Sequence, residues 1–469
     1  MEKTILIKRF CEALEDGRAA VFAGAGLSVG AGFVDWKGLL SNIAEELGIH
    51  IREYTNLVDL AQYYVNMTRN TSELSRIILN SFPVSAKPTY NHEILSSLPI
   101  RAYWTTNFDK LIEKSLEKEG KICDVKSLPS NLAISKSHSD AIVYKMHGDI
   151  DNPDKTILTR DQFEAYEQTH KAFLESFGYD LTNKTFLFLG LSFDDPNLHY
   201  VLRHARMLHK GNQRRHFYLL KSVSRKEQEA DEDFFYRKRQ QELFIEDLKN
   251  YGIETVLIST YEEITEILAS IKKQYLRHTV FISGAASVYG NYDEQSVKAF
   301  IRKLSASIIH EGFRIVNGYG LGFGNEVLAG ALFQLKEEHK SIDGNLFMRP
   351  FPQDITDPQF CWSQYRKEII SMTGVSIFLL GNKIDKNTEQ IVNSNGMASE
   401  YEISKEHGNF LIPVGATGFM SKELWEGQIK SEYDASYSPN KEEMEQLGDS
   451  SKSLDQLHDI ILQILKRIF

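Results

Sequence analysis

Four short stretches of this chain carry residue types that bind or act on a small polar ligand. The first is Gly24-Ala25-Gly26-Leu27-Ser28, which breaks out of the apolar run Ala19–Ala23. Glycines one residue apart let a backbone turn tightly and approach a ligand phosphate where a Cβ would collide. The others are Asn107 and Asp109 in TTNFD, His147 in KMHGD, and Gly190, Ser192 and Asp195 in GLSFDDPNL. Each follows an apolar strand candidate, at Arg101–Thr106, Ala141–Met146 and Thr185–Leu189. In an open parallel sheet ligands bind at the carboxyl ends of the strands, so the four loops would line one crevice. Each stretch also has a reading without a ligand. The glycines could make only a tight strand-to-helix turn, Asn107 a helix cap, His147 a turn histidine, and Asp195-Pro196 a helix start. The spacing Gly24, Gly26, Gly30 is not GxGxxG, so the common dinucleotide fingerprint is missing. The position the four stretches share relative to the sheet favours the ligand.

The elements that must hold these loops alternate between apolar runs and helical patterns. After the glycine loop, Asp35 is a candidate N-cap, and Trp36, Leu39, Leu40, Ile43, Ala44 and Leu47 recur at helical spacing up to Gly48. Further strands are expected at His216–Leu220 and Thr255–Ile258, and the densely charged Arg225–Asn250 reads as a solvated helix. The pattern restarts after a polar break at Lys272-Lys273-Gln274. Strand Thr279–Ile282 runs into Ser283-Gly284-Ala285-Ala286, followed by a helix near Gln295–Glu311 and a strand at Phe313–Val316. The glycine-dense Gly318-Tyr319-Gly320-Leu321-Gly322-Phe323-Gly324 then leads into a helix from Glu326. Strands follow at Val375–Leu380 and Phe410–Val414, a polar loop at Asp385–Ala398, and a capped amphipathic helix at Leu454–Ile468 that would cover the sheet. The fold class is α/β, with two Rossmann-like domains, each a mostly parallel sheet with helices on both faces. The expected domains are 1–275 and 276–469, the second with phosphate-loop candidates of its own at Ser283, Gly284, Gly320 and Gly322.

Composition narrows the function. The chain has 469 residues, 42% hydrophobic and 25% charged, as in soluble globular proteins. A formal net charge of -10 without a long basic block argues against nucleic acid as the main partner. Cys11, Cys123 and Cys361 are scattered, which disfavours a disulfide framework or a zinc site and fits a reducing cytoplasm. No apolar run reaches membrane-spanning length, so a cytoplasmic protein without a membrane partner is expected.

In this order, GAGLS, TTNFD, KMHGD and GLSFDDPNL resemble the sirtuin fold, closest to its bacterial defence branch. SGAAS and GYGLGFGNE resemble a SLOG domain, a nucleotide-binding Rossmann-like module. The two-part order, with YWTTNFDKLIEK, GVSIFLLGNKIDK and PVGATGF, is similar over nearly the whole chain to the effector family of Thoeris anti-phage defence. The resemblance implies an NAD⁺ hydrolase that needs no metal and is activated by a cyclic ADP-ribose isomer made by a TIR-domain partner. It implies Asn107 and His147 as the catalytic pair. Gly24, Ala25, Gly26 and Ser28 would hold the pyrophosphate and Asp109 would lie near the nicotinamide carboxamide, with Gly190, Ser192 and Asp195 completing the NAD⁺ site. Ser283, Gly284, Gly320, Gly322, Arg366, Lys383 and Glu400 would bind the regulatory nucleotide, in a homotetramer that assembles further when active.

These residue types suit that chemistry. Cleaving the N-glycosidic bond expels neutral nicotinamide, so the protein needs no strong acid; it must hold the ribose and place one water. An asparagine amide can hold a ribose hydroxyl or that water, and an imidazole can accept its proton near neutral pH. Arg366 and Lys383 offer a fork and a point charge for a pyrophosphate. The chain departs from the protein deacetylases: it lacks their four-cysteine zinc module, and GFVDWKGLL replaces their phenylalanine-arginine pair. The second half lacks the PGGxGT motif of related phosphoribohydrolases, so it reads as a binding module. The alternatives are a sirtuin-type protein deacylase or ADP-ribosyltransferase using the same crevice, and a non-catalytic nucleotide-sensing scaffold.

Overall fold

A computed structural model describes the chain apart from residues 34, 52–55, 84, 194, 210–213, 353–357, 386, 431–433, 435 and 469. It contains two compact units, Met1–Lys272 and Lys273–Phe469.

The first unit is built on seven strands: β1 (Ala19–Ala23), β2 (Ala102–Thr105), β3 (Cys123–Lys126), β4 (Ala141–Lys145), β5 (Thr185–Leu189), β6 (His216–Lys221) and β7 (Ile253–Ile258). They form one parallel sheet in the order β3-β4-β2-β1-β5-β6-β7. Every residue of β1 and β5 is buried, as a strand covered on both faces requires. Aromatic side chains fill one face: Phe22 lies 5.2 Å from Phe177 and 5.6 Å from Phe188, ring centre to ring centre. Beyond the carboxyl end of β2, Phe108 joins a second cluster with Leu40, Ile43, Leu60, Ile78 and Phe82, contributed largely by helices Leu57–Thr68 and Ser72–Ser81.

Sheet order decides what the sequence could only suggest. Strands β4, β2, β1 and β5 are consecutive neighbours, and the KMHGD, TTNFD, glycine and GLSFDDPNL loops follow them in that order across the sheet. The chain builds outward from β1 through β2, then returns to β5 on the other flank of β1, which makes the β1/β5 edge a topological switch point.

The second unit contains β8 (Thr279–Ala285), β9 (Arg314–Asn317), β10 (Leu346–Met348), β11 (Val375–Leu380), β12 (Asn382–Ile384), β13 (Ile391–Asn393) and β14 (Phe410–Pro413). Five of them make a parallel sheet in the order β10-β9-β8-β11-β14, and β12 and β13 form an antiparallel hairpin. The amphipathic helix Leu454–Ile468 buries Leu457, Ile461, Ile464 and Leu465 in the same core as Val297, Ile301 and Leu304 of helix Glu294–His310. Among the described residues no helix is long and apolar enough to cross a membrane.

Three expectations are corrected. The single helix expected from Trp36 to Leu47 is two, Trp36–Leu39 and Ser41–Glu46. The Ser41 hydroxyl takes the Gly38 carbonyl at 2.8 Å, a side-chain bond that competes with helix continuation. The polar stretch Asp385–Ala398 is not a loop throughout; it holds the turn of the hairpin, β13 and the start of helix Asn395–Glu406. The Asp385 carboxylate closes that turn by accepting from the N–H groups of Asn387 and Thr388, each at 2.9 Å. The break expected at Lys272-Lys273-Gln274 lies within helix Glu262–Arg277, whose half-buried lysines continue the helix without interruption.

Candidate functional site

The glycine loop is shaped by another loop. Gly24 N–H donates to the Leu189 carbonyl at 2.8 Å and Gly26 N–H to the Gly190 carbonyl at 3.0 Å. A Cβ on Gly24 would stand 2.4 Å from the Gly190 oxygen, and one on Gly26 2.8 Å from the Gly190 Cα. Gly190 has φ +65°, and a Cβ there would lie 2.4 Å from the Leu27 nitrogen. Close approach by a phosphate is the role expected of these glycines from their spacing. Their first requirement is the close approach of two protein backbones at the switch point. Ser192, further along the second loop, is exposed.

Asn107 is tied into this turn. Its Nδ2 donates to the Gly24 carbonyl and to Ser28 Oγ, each at 3.1 Å, and its backbone N–H donates to Thr105 Oγ1 at 2.9 Å. Ser28 Oγ in turn donates to Asp109 Oδ2 at 2.8 Å, while Asp109 Oδ1 accepts from Leu111 N–H at 2.9 Å at the start of helix Leu111–Lys118. Asn107, Ser28 and Asp109 are all buried. The sidewalls are Ala25, Ser28, Trp36, Phe82, Asn107 and Asp109, which with their neighbours enclose a pocket of about 310 Å³ that includes open solvent. Among the described residues the Asn107 Oδ1 accepts no hydrogen bond, so the carbonyl side of its amide can take a hydroxyl or a water.

His147 is more deeply placed, at 2% exposure, and packs edge-on against Phe163 and Trp36 with ring centres 5.1 and 6.1 Å apart. Trp36 therefore belongs both to the pocket wall and to the shell around the imidazole. His147 Nε2 lies 2.8 Å from Asp195 Oδ2, an ion-pair distance. The Nδ1 atom of the same ring is buried and without a hydrogen-bond partner among the described residues, which leaves it available to a ligand or a water. Asp195 Oδ1 meanwhile accepts from Asn197 N–H at 2.8 Å, capping helix Pro196–His209. Asp109 and Asp195 are alike in that one oxygen accepts from a backbone N–H at the start of a helix while the other meets a site side chain, Ser28 or His147. Burial opposes the charged form of Asp195, but the His147 charge and the helix-start N–H groups outweigh it and hold the carboxyl below its ordinary value.

Beneath the loops lies Lys145, the last residue of β4 and wholly buried. Burial would lower its ammonium, but Glu113 and Asp149 more than offset this and raise it above its ordinary value. Burial likewise raises the Glu113 carboxyl, only partly countered by Lys145. Among the described residues, no group of three or more His, Cys, Asp or Glu side chains could hold a metal ion.

In the second unit the loops after β8 and β9 interlock as the first pair does. A Cβ on Gly320 would lie 2.0 Å from the Gly284 oxygen, and one on Gly322 2.2 Å from the Ala286 oxygen. A Cβ on Gly284 would strike the Phe323 ring at 2.5 Å. Ser283 Oγ donates to Glu400 Oε2 at 2.6 Å, and Arg366 Nε lies 3.4 Å from Glu400 Oε1 with its guanidinium over the Phe351 ring. Ser283, Arg366 and Glu400 therefore form one cluster. Burial raises the Glu400 carboxyl, against the pull of Ser283 and Arg366. Lys383 is exposed on β12, next to Asn382, whose side chain accepts from the N–H groups of Ser287 and Val288 at 2.9 and 3.0 Å. Among the described residues Lys383 does not join the Arg366 cluster, and its neighbour Asn382 makes the contact with the β8 loop.

Comparison with known proteins agrees with both halves. The profile of the SIR2-like domain matches residues 101–255, and that of the Sir2- and TIR-associating SLOG family matches residues 263–468. NAD(+) hydrolase ThsA of Bacillus cereus (strain MSX-D12) is 42% identical over 468 residues, covering 98% of each chain. The chain belongs to the ThsA family. The member from Acinetobacter baumannii (strain 532279) is also 42% identical, with 98% of each chain covered, and that from Cytobacillus dafuensis is 42% identical, with 100% of this chain and 96% of that one covered.

Within this member of the ThsA family, the SIR2-like match contains Asn107, His147 and Asp195 but begins after the glycine loop. Trp36 reads in the sequence as one residue of a helix face, and its place in the pocket wall has no local signal. Phe82 and Lys145 are likewise absent from the residues expected at the site. The available signal was a charged lysine ending a strand of buried residues, which demands a counter-charge.

Proposed function

We propose that this chain hydrolyses NAD⁺ to nicotinamide and ADP-ribose in defence against phage, and that a cyclic ADP-ribose isomer bound by its SLOG unit switches the hydrolysis on. The observation that carries the first part is the pairing of Asn107, wired to the glycine turn, with a buried His147 that is held by Asp195 at Nε2 and has no hydrogen-bond partner among the described residues at Nδ1, beyond the ends of adjacent strands. Its family relatives bear the name NAD(+) hydrolase, which supports the same substrate.

In this reading the pyrophosphate lies along the backbone of Gly24–Ser28, whose Ser28 hydroxyl is held by Asn107 and Asp109, and Asp109 meets the nicotinamide carboxamide. Gly190 shapes the turn, and Ser192 and Asp195 border the crevice. The glycosidic C–N bond breaks with its electron pair leaving on nicotinamide. The Asn107 amide holds the ribose or the incoming water, and water adds to the ribose carbon as its proton passes to His147. Asp195 favours the imidazolium formed in that step.

The regulatory part rests on Arg366, held against Glu400, and on the exposed Lys383 of the hairpin. An anionic nucleotide entering beside Ser283 and the Gly284, Gly320 and Gly322 turns would draw Arg366 from Glu400. Any shift it produces is limited by its preference for the active arrangement. The nucleotide would come from a TIR-domain partner, and the enzyme would act in the cytoplasm as a homotetramer that assembles further when active.

The test is NAD⁺ consumption by the purified full chain, with and without cyclic ADP-ribose isomers, alongside Asn107→Ala. Nucleotide-dependent release of nicotinamide and ADP-ribose, absent from the variant, is expected. Turnover that requires an acylated peptide would replace hydrolysis by deacylation. No turnover with any isomer would leave a nucleotide-sensing scaffold.

A further inference from the structure

We propose that Lys145 is a positioning residue that sets the separation of the Asn107 and His147 loops. The inference rests on the hydrolase reading above. The Lys145 ammonium is wholly buried and meets four acceptors. These are the carbonyls of Phe108, at 3.1 Å, and of Asp109, together with Glu113 Oε1 at 3.0 Å and Asp149 Oδ2 at 2.7 Å. The two carbonyls belong to the loop that carries Asn107, and Asp149 belongs to the loop that carries His147. Glu113 stands in the first turn of the helix that the Asn107 loop feeds. One cation therefore grips both loops and the element behind them. The Phe108 carbonyl is shared: it also accepts from Ile150 N–H at 3.1 Å, directly across the two loops.

Stability alone is a poor reason for this arrangement. A charge removed from water is costly, and an apolar cluster of equal volume is often as stable as a buried ion pair. What the ammonium adds is direction. Its three N–H donors turn two consecutive carbonyls inward, which leaves the Asn107 side chain directed at Gly24 and Ser28. Lys145 is not in the pocket wall and does not touch the reacting atoms; it acts through the backbone that carries those that do.

A second buried lysine supplies the control. Lys126, at the end of the neighbouring β3, is 3% exposed, pairs with Asp124 at 2.8 Å and donates to the Ile134 carbonyl. It grips neither catalytic loop.

The experiment compares the full chain with Lys145→Met/Glu113→Gln/Asp149→Asn, which removes the cation together with its two counter-charges, and with Lys126→Met/Asp124→Asn. Each is assayed for NAD⁺ hydrolysis with the panel of cyclic ADP-ribose isomers and for ADP-ribose binding by calorimetry. In the Lys145 variant kcat is expected to fall at least tenfold, by more than any change in KM for NAD⁺, with ADP-ribose affinity within about twofold, because the backbone bonds that hold the glycine turn to Leu189 and Gly190 do not involve Lys145. The Lys126 variant is expected to keep kcat per folded molecule. Asp149→Asn, which only loosens the hold on the His147 loop, decides the matter if the triple variant does not fold; a kcat loss of several-fold is then expected at unchanged KM. Unchanged kcat in a folded Lys145 or Asp149 variant, or equal losses in the Lys145 and Lys126 variants, would overturn the proposal. An inactive wild-type chain that still binds ADP-ribose would instead overturn the hydrolase reading on which it rests.

Discussion

Both units lock a glycine loop against the backbone of a neighbouring loop, yet they hold their charges in opposite ways. In the first unit the site side chains are buried and joined: Asn107 to Ser28, Ser28 to Asp109, and Asp195 both to a helix start and to His147. In the second unit the candidate anion-binding groups are divided. Arg366 is neutralised by Glu400, and Lys383 stands exposed on a hairpin. The difference teaches what each arrangement suits. A preorganised buried network positions atoms without reorganisation, as a catalytic site needs. A cation already paired with a carboxylate has two states, paired and ligand-bound, as a sensor needs.

The largest expected effect breaks the catalytic side of this contrast. Asn107→Ala should lower NAD⁺ turnover by roughly 100-fold or more, while the fold persists through Thr105 Oγ1 donating to the Ala23 carbonyl at 2.8 Å. Turnover and circular dichroism measured on the same preparation check this. Gly190→Ala and Gly320→Ala test the shared feature. Each places a Cβ against backbone, and each should destabilise its own unit by about 1–3 kcal/mol in denaturant unfolding. A loss confined to one of them would end the parallel between the loops.

Arg366→Ala should raise the activating concentration of a cyclic ADP-ribose isomer about tenfold, the loss of one charge-assisted contact, and leave NAD⁺ affinity unchanged. Glu400→Gln sharpens the comparison. If the pair holds Arg366 back, this variant should activate at several-fold lower nucleotide; a higher requirement would make Glu400 itself a ligand contact.

A last expectation concerns acid stability. In the first unit, burial pushes the imidazoles of His92 and His216 down to about 4 and about 3, from an ordinary value of 6.5. Below pH 6.5 the unfolded chain takes up protons that these native imidazoles refuse, so stability falls as pH drops. Each contributes up to about 1.4 kcal/mol per pH unit in that window. Urea midpoints between pH 7 and 5 measure the slope. His216→Asn, which keeps an acceptor for the Phe186 N–H, should remove its share.

Much of this was legible in the residues. Every expected strand is present within a few residues, because a strand buried on both faces must be a continuous apolar run. The loop motifs likewise lie where the strands end. The parts that were not legible depend on partners remote in the chain. The reason for Gly24 and Gly26 is Gly190, and Trp36 acquires its role by meeting His147. The hairpin at β12 and β13 escaped notice because its turn is polar and its strands are three residues each. At the break, Leu40 leaves helical geometry and the Ser41 hydroxyl donates to the Gly38 carbonyl, a detail that apolar spacing does not report.

Burial and periodicity are written locally, so the two α/β halves, their strands and the loops at the strand ends can be read from the residues alone. Tertiary packing sets β4, β2, β1 and β5 side by side, brings the Phe108 carbonyl to Lys145 and holds Arg366 against Glu400. Apart from Lys145–Asp149, four positions apart, those contacts join residues tens of positions apart. Sheet order sets which of them meet, and no local pattern encodes it.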